Sequence, residues 1–275
     1  MSHWEFPGAE PIDVAIDLAA GSVALAAKTT EATTVSLTPS RFSRNADKLI
    51  SEVRVSFDNG RLEVAGPKRT GLWRGYAGFD LTITLPEGSR CAVRTASADI
   101  TATGELAELD AYTASGDITA ATVTGNLQAV TASGDVRAEQ TGISAETRTV
   151  SGDIRVTRAG GDIRARTVSG DVSIASAAES AAVTTVSGDV RIGGMAAGRA
   201  DVNTASGDVE VGVARDVGVY LDLSSLSGSV TSQLEEAQPS DDVPLEVRCR
   251  TLSGDIRIVR APSAEADRRR VEQAG

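Results

Sequence analysis

One short phrase recurs at a nearly constant spacing, and this spacing limits the fold more than any other feature. The phrase is T-x-S-G-D-[I/V] or a near copy. Its aspartate position falls at Asp99, Asp117, Asp135, Asp153, Asp171, Asp189, Asp208, Ser229 and Asp255. The first five steps are 18 residues each, and the next three are 19, 21 and 26 residues. An unbroken run of equal steps indicates a repeat protein in which each phrase occupies the same place in a stacked coil.

A weaker half period divides the unit. Asp153, Asp162 and Asp171 follow one another at intervals of nine residues, and Asp162 belongs to a Gly-Gly-Asp variant of the phrase. We therefore expect two similar strand-like passes in each coil.

The residues within the phrase alternate as they do in a half-buried β-strand. In TVSGDIRV, residues 149–156, apolar or small residues hold the even positions and polar residues hold the odd positions. We expect Val150 and Ile154 to point into the core, and Thr149 and Asp153 to point outwards.

These observations predict an all-β chain, a single-stranded β-solenoid (β-helix) with about 18 residues per coil and a β-rich N-terminal cap. Aromatic residues make up only 3% of the chain, which suits a thin core of small aliphatic side chains. We expect a capping region continuous with the solenoid over residues 1–90, solenoid repeats over 91–260 and a mobile C-terminal tail over 261–275.

Each residue type in the phrase has an expected structural role. Glycine suits a tight point in the coil, and Arg two residues after Asp can pair with the Asp of its own or a neighbouring coil, contributing at most about 1 kcal/mol. Ser and Asp side chains can also accept hydrogen bonds from backbone N–H groups at a bend. The predicted ladder comprises Gly116, Asp117, Gly134, Asp135, Gly152, Asp153, Gly170, Asp171, Gly188, Asp189, Gly207, Asp208, Gly254 and Asp255.

Three functional interpretations of the phrase are less favoured. Calcium-binding β-rolls use the nonapeptide G-G-x-G-x-D-x-U-x, whose glycine spacing is missing here. A catalytic serine needs one special environment with a base beside it, not a column of copies. Ice binding would use the Thr-x-Ser rows, but interleaved Asp and Arg spoil a weakly charged face. We predict no catalytic residues, no metal and no cofactor.

Charge and composition narrow the classes of partner and compartment. The formal net charge of −11 disfavours nucleic-acid phosphates as partners. His3 is the single histidine, and Cys91 and Cys249 have no metal-type spacing. Acidic residues interrupt the first apolar stretch, and no segment has the length of apolar sequence that crosses a membrane. We predict a cytoplasmic chain without membrane insertion.

The region before residue 90 departs from the repeat. RVSFDNGRLEVAG, residues 54–66, predicts a hairpin with Asn59-Gly60 at its tip. Most aromatic residues lie in this region, and we interpret them as a cap on the thin core. Trp73, Arg74 and Tyr76 form a candidate interaction patch.

The spaced phrases, together with LPEGSRCAVRTASADI leading into them, resemble a bacterial family of β-strand-repeat proteins that carries the names candidate adhesin and domain of unknown function. The resemblance covers residues 10–260. It implies a β-solenoid without assigned catalytic residues, and the adhesin name implies a surface location.

The resulting functional hypothesis is a non-enzymatic scaffold or protein-binding module whose protein partners bind along a side face or at an end. An alternative is a structural protein that self-assembles end to end through unpaired strand edges. A third hypothesis is a carbohydrate-binding or polysaccharide-active β-helix, for which Glu105 and Glu108 are weak candidates.

Overall fold

The computed structural model describes residues 2–40, 50–67, 78–215, 217–234 and 245–261, and every element that lies wholly within these ranges is a β-strand. The all-β solenoid prediction is confirmed. The contacts divide the chain into two compact units, one ending at Gly142 and the other beginning at Ile143. The predicted domain boundary near residue 90 stays a prediction, and the predicted tail lies almost wholly outside the described residues.

The strands of the first unit are β1 (Ser2–Pro7), β2 (Asp13–Ala27), β3 (Ala32–Pro39), β4 (Arg54–Asp58), β5 (Arg61–Ala65), β6 (Phe79–Leu85), β7 (Arg90–Leu106), β8 (Glu108–Tyr112), β9 (Ile118–Val123), β10 (Asn126–Val130) and β11 (Val136–Thr141). The strands of the second unit are β12 (Ser144–Arg148), β13 (Ile154–Ala159), β14 (Asp162–Arg166), β15 (Val172–Ala177), β16 (Ala181–Thr184), β17 (Val190–Met195), β18 (Gly198–Asn203), β19 (Val209–Val213), β20 (Val219–Ser227), β21 (Val230–Ser232), β22 (Leu245–Ser253) and β23 (Ile256–Arg260).

The first unit stacks parallel passes with the period seen in the sequence. The first half of β7 pairs with β8 and its second half with β9, so that Ile100 lies opposite Ile118. β10 and β11 continue these two stacks. On the other side, β2 runs parallel to β7 along nearly its whole length.

The beginning of this unit has a different construction. β5 and β6 pair in parallel with β2, and antiparallel strands then follow: β4 beside β5, β3 beside β6, and β1 beside β3. The predicted hairpin is confirmed. Its tip has positive φ at Asn59 (49°) and Gly60 (75°), as the two central residues of a tight hairpin turn require.

The second unit consists of two parallel stacks. β12, β14, β16, β18 and β22 follow one another in the first stack, and β13, β15, β17, β19 and β23 follow one another in the second. Each coil therefore contains two short passes, as the nine-residue half period predicts. Ile154 lies opposite Val172, one 18-residue repeat later.

The last two coils of the second unit do not stack in chain order. β22 and β23 lie between the coil of β18 and β19 and the coil of β20 and β21, which is outermost among the described residues. The inner coil carries Leu245, Val247 and Cys249 as fully buried core residues. The inner coil thus has a neighbouring coil on both sides, and both neighbours bury its core side chains.

The expected direction of the side chains is wrong for the first two residues of the phrase. Thr149 is buried, with 5% of its surface exposed, whereas Val150 is 50% exposed. The reason is that the phrase is not one continuous strand: β12 ends at Arg148, and β13 begins at Ile154. Because the chain bends between them, the alternation of one strand does not extend into the next. Ile154 is fully buried, as expected.

Candidate functional site

The aspartates of the phrase form a hydrogen-bonded ladder at the bend between the two passes. In the first unit, Asp99 Oδ1 accepts the backbone N–H of Asp117 at 3.0 Å, and Asp117 Oδ1 accepts that of Asp135 at 2.8 Å. Each carboxylate therefore joins its own coil to the next. We call this arrangement the carboxylate ladder.

The second unit repeats this geometry in every described coil from Asp153 onwards. The oxygens of Asp153, Asp171, Asp189 and Asp208 accept the N–H of the aspartate in the next coil at 2.8–2.9 Å. Sequence reasoning identified these residues and the type of bond, but it did not identify the coil that provides the donor.

Ser229 occupies the last position of the carboxylate ladder. Its backbone N–H donates to Asp255 Oδ1 at 2.8 Å. The coil of Ser229 is outermost among the described residues, so no further N–H lies beyond it there for a carboxylate to accept. The change from Asp to Ser thus coincides with the end of the stack. The Ser229 N–H also holds the pKa of Asp255 below its usual range, with a smaller contribution from Arg257.

The glycine of the phrase is required by a close approach between coils. A Cβ placed on Gly188 would lie 2.0 Å from the carbonyl oxygen of Gly170, and a Cβ on Gly207 would lie 2.1 Å from that of Gly188. Both distances are far below van der Waals contact, and the atom approached is backbone. These glycines form a column in which each coil leaves room for the next.

The threonine of the phrase lies inside the coil and binds backbone. Its hydroxyl donates to a carbonyl oxygen 15 residues earlier: Thr113 to Ala98 at 3.2 Å, and Thr167 to Gly152 at 3.3 Å. The buried hydroxyl of Thr185 has no hydrogen-bond partner among the described residues. The threonine column is therefore a polar lining of the core whose bonding differs from coil to coil.

Arginines form ion pairs with the carboxylate ladder at some coils. Arg137 contacts Asp135 at 2.6 Å, and Arg155 contacts Asp153 at 2.8 Å. The expected pairing with Asp does not describe Arg191, which forms an ion pair with Glu210 at 3.0 Å. These side chains are substantially exposed, so each pair contributes at most about 1 kcal/mol.

A groove of about 390 Å³ lies along the carboxylate ladder of the second unit. Asp171, Asp189, Asp208 and Asp255 line it together with the guanidinium groups of three arginines, Arg155, Arg191 and Arg257. Charges of both signs therefore alternate along its wall. Within the described ranges, no three His, Cys, Asp or Glu side chains are grouped as a metal site requires.

A second row of exposed side chains runs beside the carboxylate ladder, and sequence reasoning missed it. Its members occupy the second position of the phrase in successive coils of the second unit, and we call them the apolar ladder: Val150, Val168, Val186, Ala205, Leu252 and Leu226. Backbone bonds fix the order of the first five, because the serine after each later member donates its N–H to the carbonyl of the ladder residue one coil earlier, as Ser169 does to Val150 at 2.9 Å. The register of Ser227 opposite Ser253 places Leu226 beside Leu252. The valines are 45–51% exposed, Leu252 is 59% exposed and Leu226 is 82% exposed.

One feature of the sequence could have revealed the apolar ladder. The first position of the phrase is Thr in nearly every copy, whereas the second position varies between Ala, Val and Leu. A close-packed core does not accept such changes of volume at one repeated position, but a surface does. The variable residue was therefore the outward one.

The other predicted or notable residues are placed as follows. Trp73, Arg74 and Tyr76 lie outside the described residues, so this patch stays a prediction. Glu105 is exposed beside an irregularity in β7, and Glu108 on β8 lies 3.8 Å from Arg90.

Both cysteines lie in the core as free thiols. Burial raises the pKa of Cys91 to about 12, with a further contribution from Asp13, and raises that of Cys249 to about 12, with a contribution from Asp201. Such thiols are protonated at neutral pH, which does not suit a nucleophile. A helix with the length and apolar character needed to cross a membrane is absent from the described part of the chain.

Comparisons with known proteins were consistent with this geometry. A family model described as Toastrack DUF4097 matches residues 13–194, more than half of the chain. Among solved structures, a candidate adhesin from Bacteroides fragilis is 12% identical, with 94% of this chain and 96% of the other covered and a TM-score of 0.50. A candidate lipid-binding protein from Parabacteroides distasonis has the same identity and coverage and a TM-score of 0.47. None of the curated proteins matches the chain in sequence.

Proposed function

The chain belongs to the Toastrack DUF4097 family, and from this membership and its surface we propose that it is a non-enzymatic, adhesin-like module that binds a protein partner along the apolar ladder. The observation that carries the proposal is the row of exposed Val and Leu side chains in the second unit, which half-buried Ala205 joins in the middle. Similar structures include candidate adhesins from Bacteroides fragilis and Parabacteroides distasonis.

The apolar ladder is unusual for a surface in both size and continuity. Its six residues follow one another at the spacing of neighbouring strands, about 4.8 Å, which gives a row on the order of 24 Å long. Single exposed apolar residues are normal, but a contiguous row rimmed by polar groups is typical of an interaction site. A partner that covers this row would remove apolar surface from water, and each Å² removed contributes about 25 cal/mol to the free energy of binding.

Polar groups border the row and would give a partner its orientation. Ser151, Ser169 and Ser187 follow the ladder residues directly and are exposed or half-buried. Exposed Arg148 and Arg166 precede the buried threonines. An apolar row with a rim of hydroxyl and guanidinium groups has the anatomy of a protein interface, in which apolar contacts provide affinity and the rim provides specificity.

The bonding of the repeated carboxylates supports a non-enzymatic role. In the second unit each described aspartate of the carboxylate ladder already accepts a backbone N–H, so these oxygens are engaged in holding coils together. The same geometry recurs at each coil, and no single position is distinguished as a reacting centre would be. The polysaccharide-active alternative rests on Glu105 and Glu108 only, and no observation here favours it.

A comparison of partner capture tests the proposal. The full chain and a Val150→Ser, Val168→Ser, Val186→Ser variant would be cross-linked in native extract, and the bound proteins identified by mass spectrometry. Ile143→Ser provides the matched control, because Ile143 is 69% exposed but does not belong to the apolar ladder. We expect some proteins to be captured by the wild type and by the control but not by the triple variant. An identical set of bound proteins for all three chains would contradict the proposal.

Two different cellular locations are expected for the chain. The prediction from the sequence is cytoplasmic, whereas an adhesin-like role favours the cell surface. Fractionation of cells that express the native gene, followed by detection of the chain in each fraction, decides between the two locations.

A further inference from the structure

The coil of β20 and β21 has a neighbouring coil on one side only among the described residues. β20 pairs with β22, and β21 pairs with β23, and neither has another strand partner among the described residues. Its outer edge therefore presents backbone N–H and C=O groups that a further strand could bind.

The core of the unit is also open at this coil. Val219, Leu221 and Leu223 lie opposite Leu245, Val247 and Cys249 in register. The three inner residues are fully buried, whereas the three outer residues are only partly buried. The coil thus leaves apolar side chains of the solenoid interior in contact with water, and the edge of β21 adds Val230, which is 46% exposed.

This edge has almost none of the protection that natural sheets place at exposed edges. Charged side chains and proline normally discourage pairing there. Between Val219 and Ser232, Asp222 is the single charged residue, and its carboxylate is held by Arg248 at 2.9 Å and Arg250 at 3.4 Å. Ser229 stands where the other coils carry Asp, so the edge also lacks the carboxylate of the repeat.

The strands at the beginning of the first unit have the opposite character. β1 carries Glu5 and ends at Pro7, and β4 begins with Arg54 and ends at Asp58. These edges have the charges and the proline that oppose strand addition. The contrast identifies β20 and β21 as the edge suited to pairing, and it makes a head-to-tail arrangement onto β1 or β4 unfavourable.

We infer that the edge formed by β20 and β21 binds the same edge of a second copy of the chain, giving a closed two-fold dimer. A second copy is the suitable partner because two edges with almost no charge do not repel each other. The residues that give the chain its net charge of −11 lie almost entirely outside this edge. In a two-fold arrangement the facing strands run antiparallel, and the half-buried Val and Leu residues of both copies close the two open cores together. Since the same edge is used by both copies, assembly ends at two.

The oligomeric mass of the full chain tests this inference. We expect light scattering after size exclusion to give twice the mass of 28.3 kDa at high concentration, with dissociation on dilution. Val230→Lys should give a monomer at every concentration, because it places an ammonium group in the interface, and the wild-type residue is already exposed enough for the change to leave the fold intact. Ile143→Lys is the matched control, since Ile143 is 69% exposed and belongs neither to β20 or β21 nor to the apolar ladder, so this variant should remain dimeric.

Hydrogen exchange locates the interface independently of any variant. Amides of β20 and β21 should exchange more slowly at high concentration than at low concentration, while those of β1 and β4 should not change. A wild-type chain that stays monomeric up to millimolar concentration would overturn the inference. So would a dimer that Val230→Lys leaves intact, or concentration-dependent protection at β1 and β4. The partner-capture variant replaces Val150, Val168 and Val186, none of which lies on β20 or β21, so this test and the partner-capture test can fail separately.

Discussion

Ser229 donates its backbone N–H to the carboxylate of Asp255 at 2.8 Å, although Ser229 comes 26 residues earlier in the chain. In the other bonds described for the carboxylate ladder, the carboxylate accepts the N–H of a residue later in the chain. The reversal shows that residues 219–232 form the outer coil, and that residues 245–260, which come later in the chain, lie inside it. Residues 245–260 are thereby enclosed between two coils.

Removal of one carboxylate from the ladder should weaken the joint between two coils. Asp189→Ala leaves the Asp208 N–H without its acceptor, and we expect a loss of about 1–2 kcal/mol in the free energy of unfolding. Asp189→Asn should lose less, because the amide oxygen can still accept the bond. Asp162→Ala is the control, since Asp162 lies on β14 outside the ladder and should change stability by less than about 0.5 kcal/mol. Urea denaturation measures all three, and equal losses for Asp189→Ala and Asp162→Ala would contradict the structural role.

A methyl group in the glycine column should be poorly tolerated. Gly188→Ala brings Cβ to 2.0 Å from the Gly170 carbonyl oxygen, so the coils must separate locally. We expect a loss of about 3 kcal/mol or more in the free energy of unfolding. Gly194→Ala provides the comparison, because its Cβ would lie 3.4 Å from the nearest atom, the Cβ of Ala261. Thermal unfolding at one scan rate should show a large fall in Tm for the first variant and a small change for the second.

Two threonines of the same column should respond differently to the same substitution. Thr167→Val removes the donor to the Gly152 carbonyl and should cost about 1 kcal/mol. Thr185→Val replaces a buried hydroxyl that lacks a partner among the described residues, so we expect no loss or a small gain in stability. Chemical denaturation of the two variants gives the comparison. A larger loss at residue 185 than at residue 167 would show that the hydroxyl of Thr185 has a role that the structure does not display.

The buried thiols should make stability fall at alkaline pH. Below pH 9 the thiol is protonated in both the folded and the unfolded chain, so it adds no pH dependence. Above the unfolded pKa of 9.0 the unfolded chain releases a proton that the folded chain retains up to a pKa of about 12, and the free energy of unfolding therefore decreases over this range. Cys249→Val should reduce this alkaline decrease relative to the wild type. A thiol reagent at neutral pH should leave both cysteines unmodified in the folded chain and modify both in denaturant.

The sequence predicted a large part of the architecture from simple repetition. Equal steps between Asp99 and Asp189 require equivalent positions in a stack, and the nine-residue spacing around Asp162 separates two passes. The sequence also predicted a structural role for the repeated Gly and Asp residues, because a residue type that recurs in every coil is expected to stabilise the stacking of the coils. Arginine pairing was predicted only in part: Arg137 and Arg155 contact aspartates, whereas Arg191 contacts Glu210.

The alternation of side chains along a β-strand did not predict which residues of the phrase face the core and which face the solvent. Thr149 and Val150 exchange their expected places because a bend separates them from β13. Strand alternation is a property of continuous extended backbone, so it cannot be carried across a turn. As a result, the candidate interaction surface was assigned to the core.

The sequence alone determined that this chain forms β-solenoid coils of about 18 residues, because the period, the glycines and the scarcity of large side chains fit no wider core. Only the tertiary structure decided that residues 245–260 lie inside residues 219–232 in the stack, and that Val150 and its equivalents face the solvent. Both results depend on which surfaces lie next to each other after the chain has folded. Local patterns specify what each coil is made of, but burial against neighbours on both sides selects the order of the coils and the face that each side chain takes.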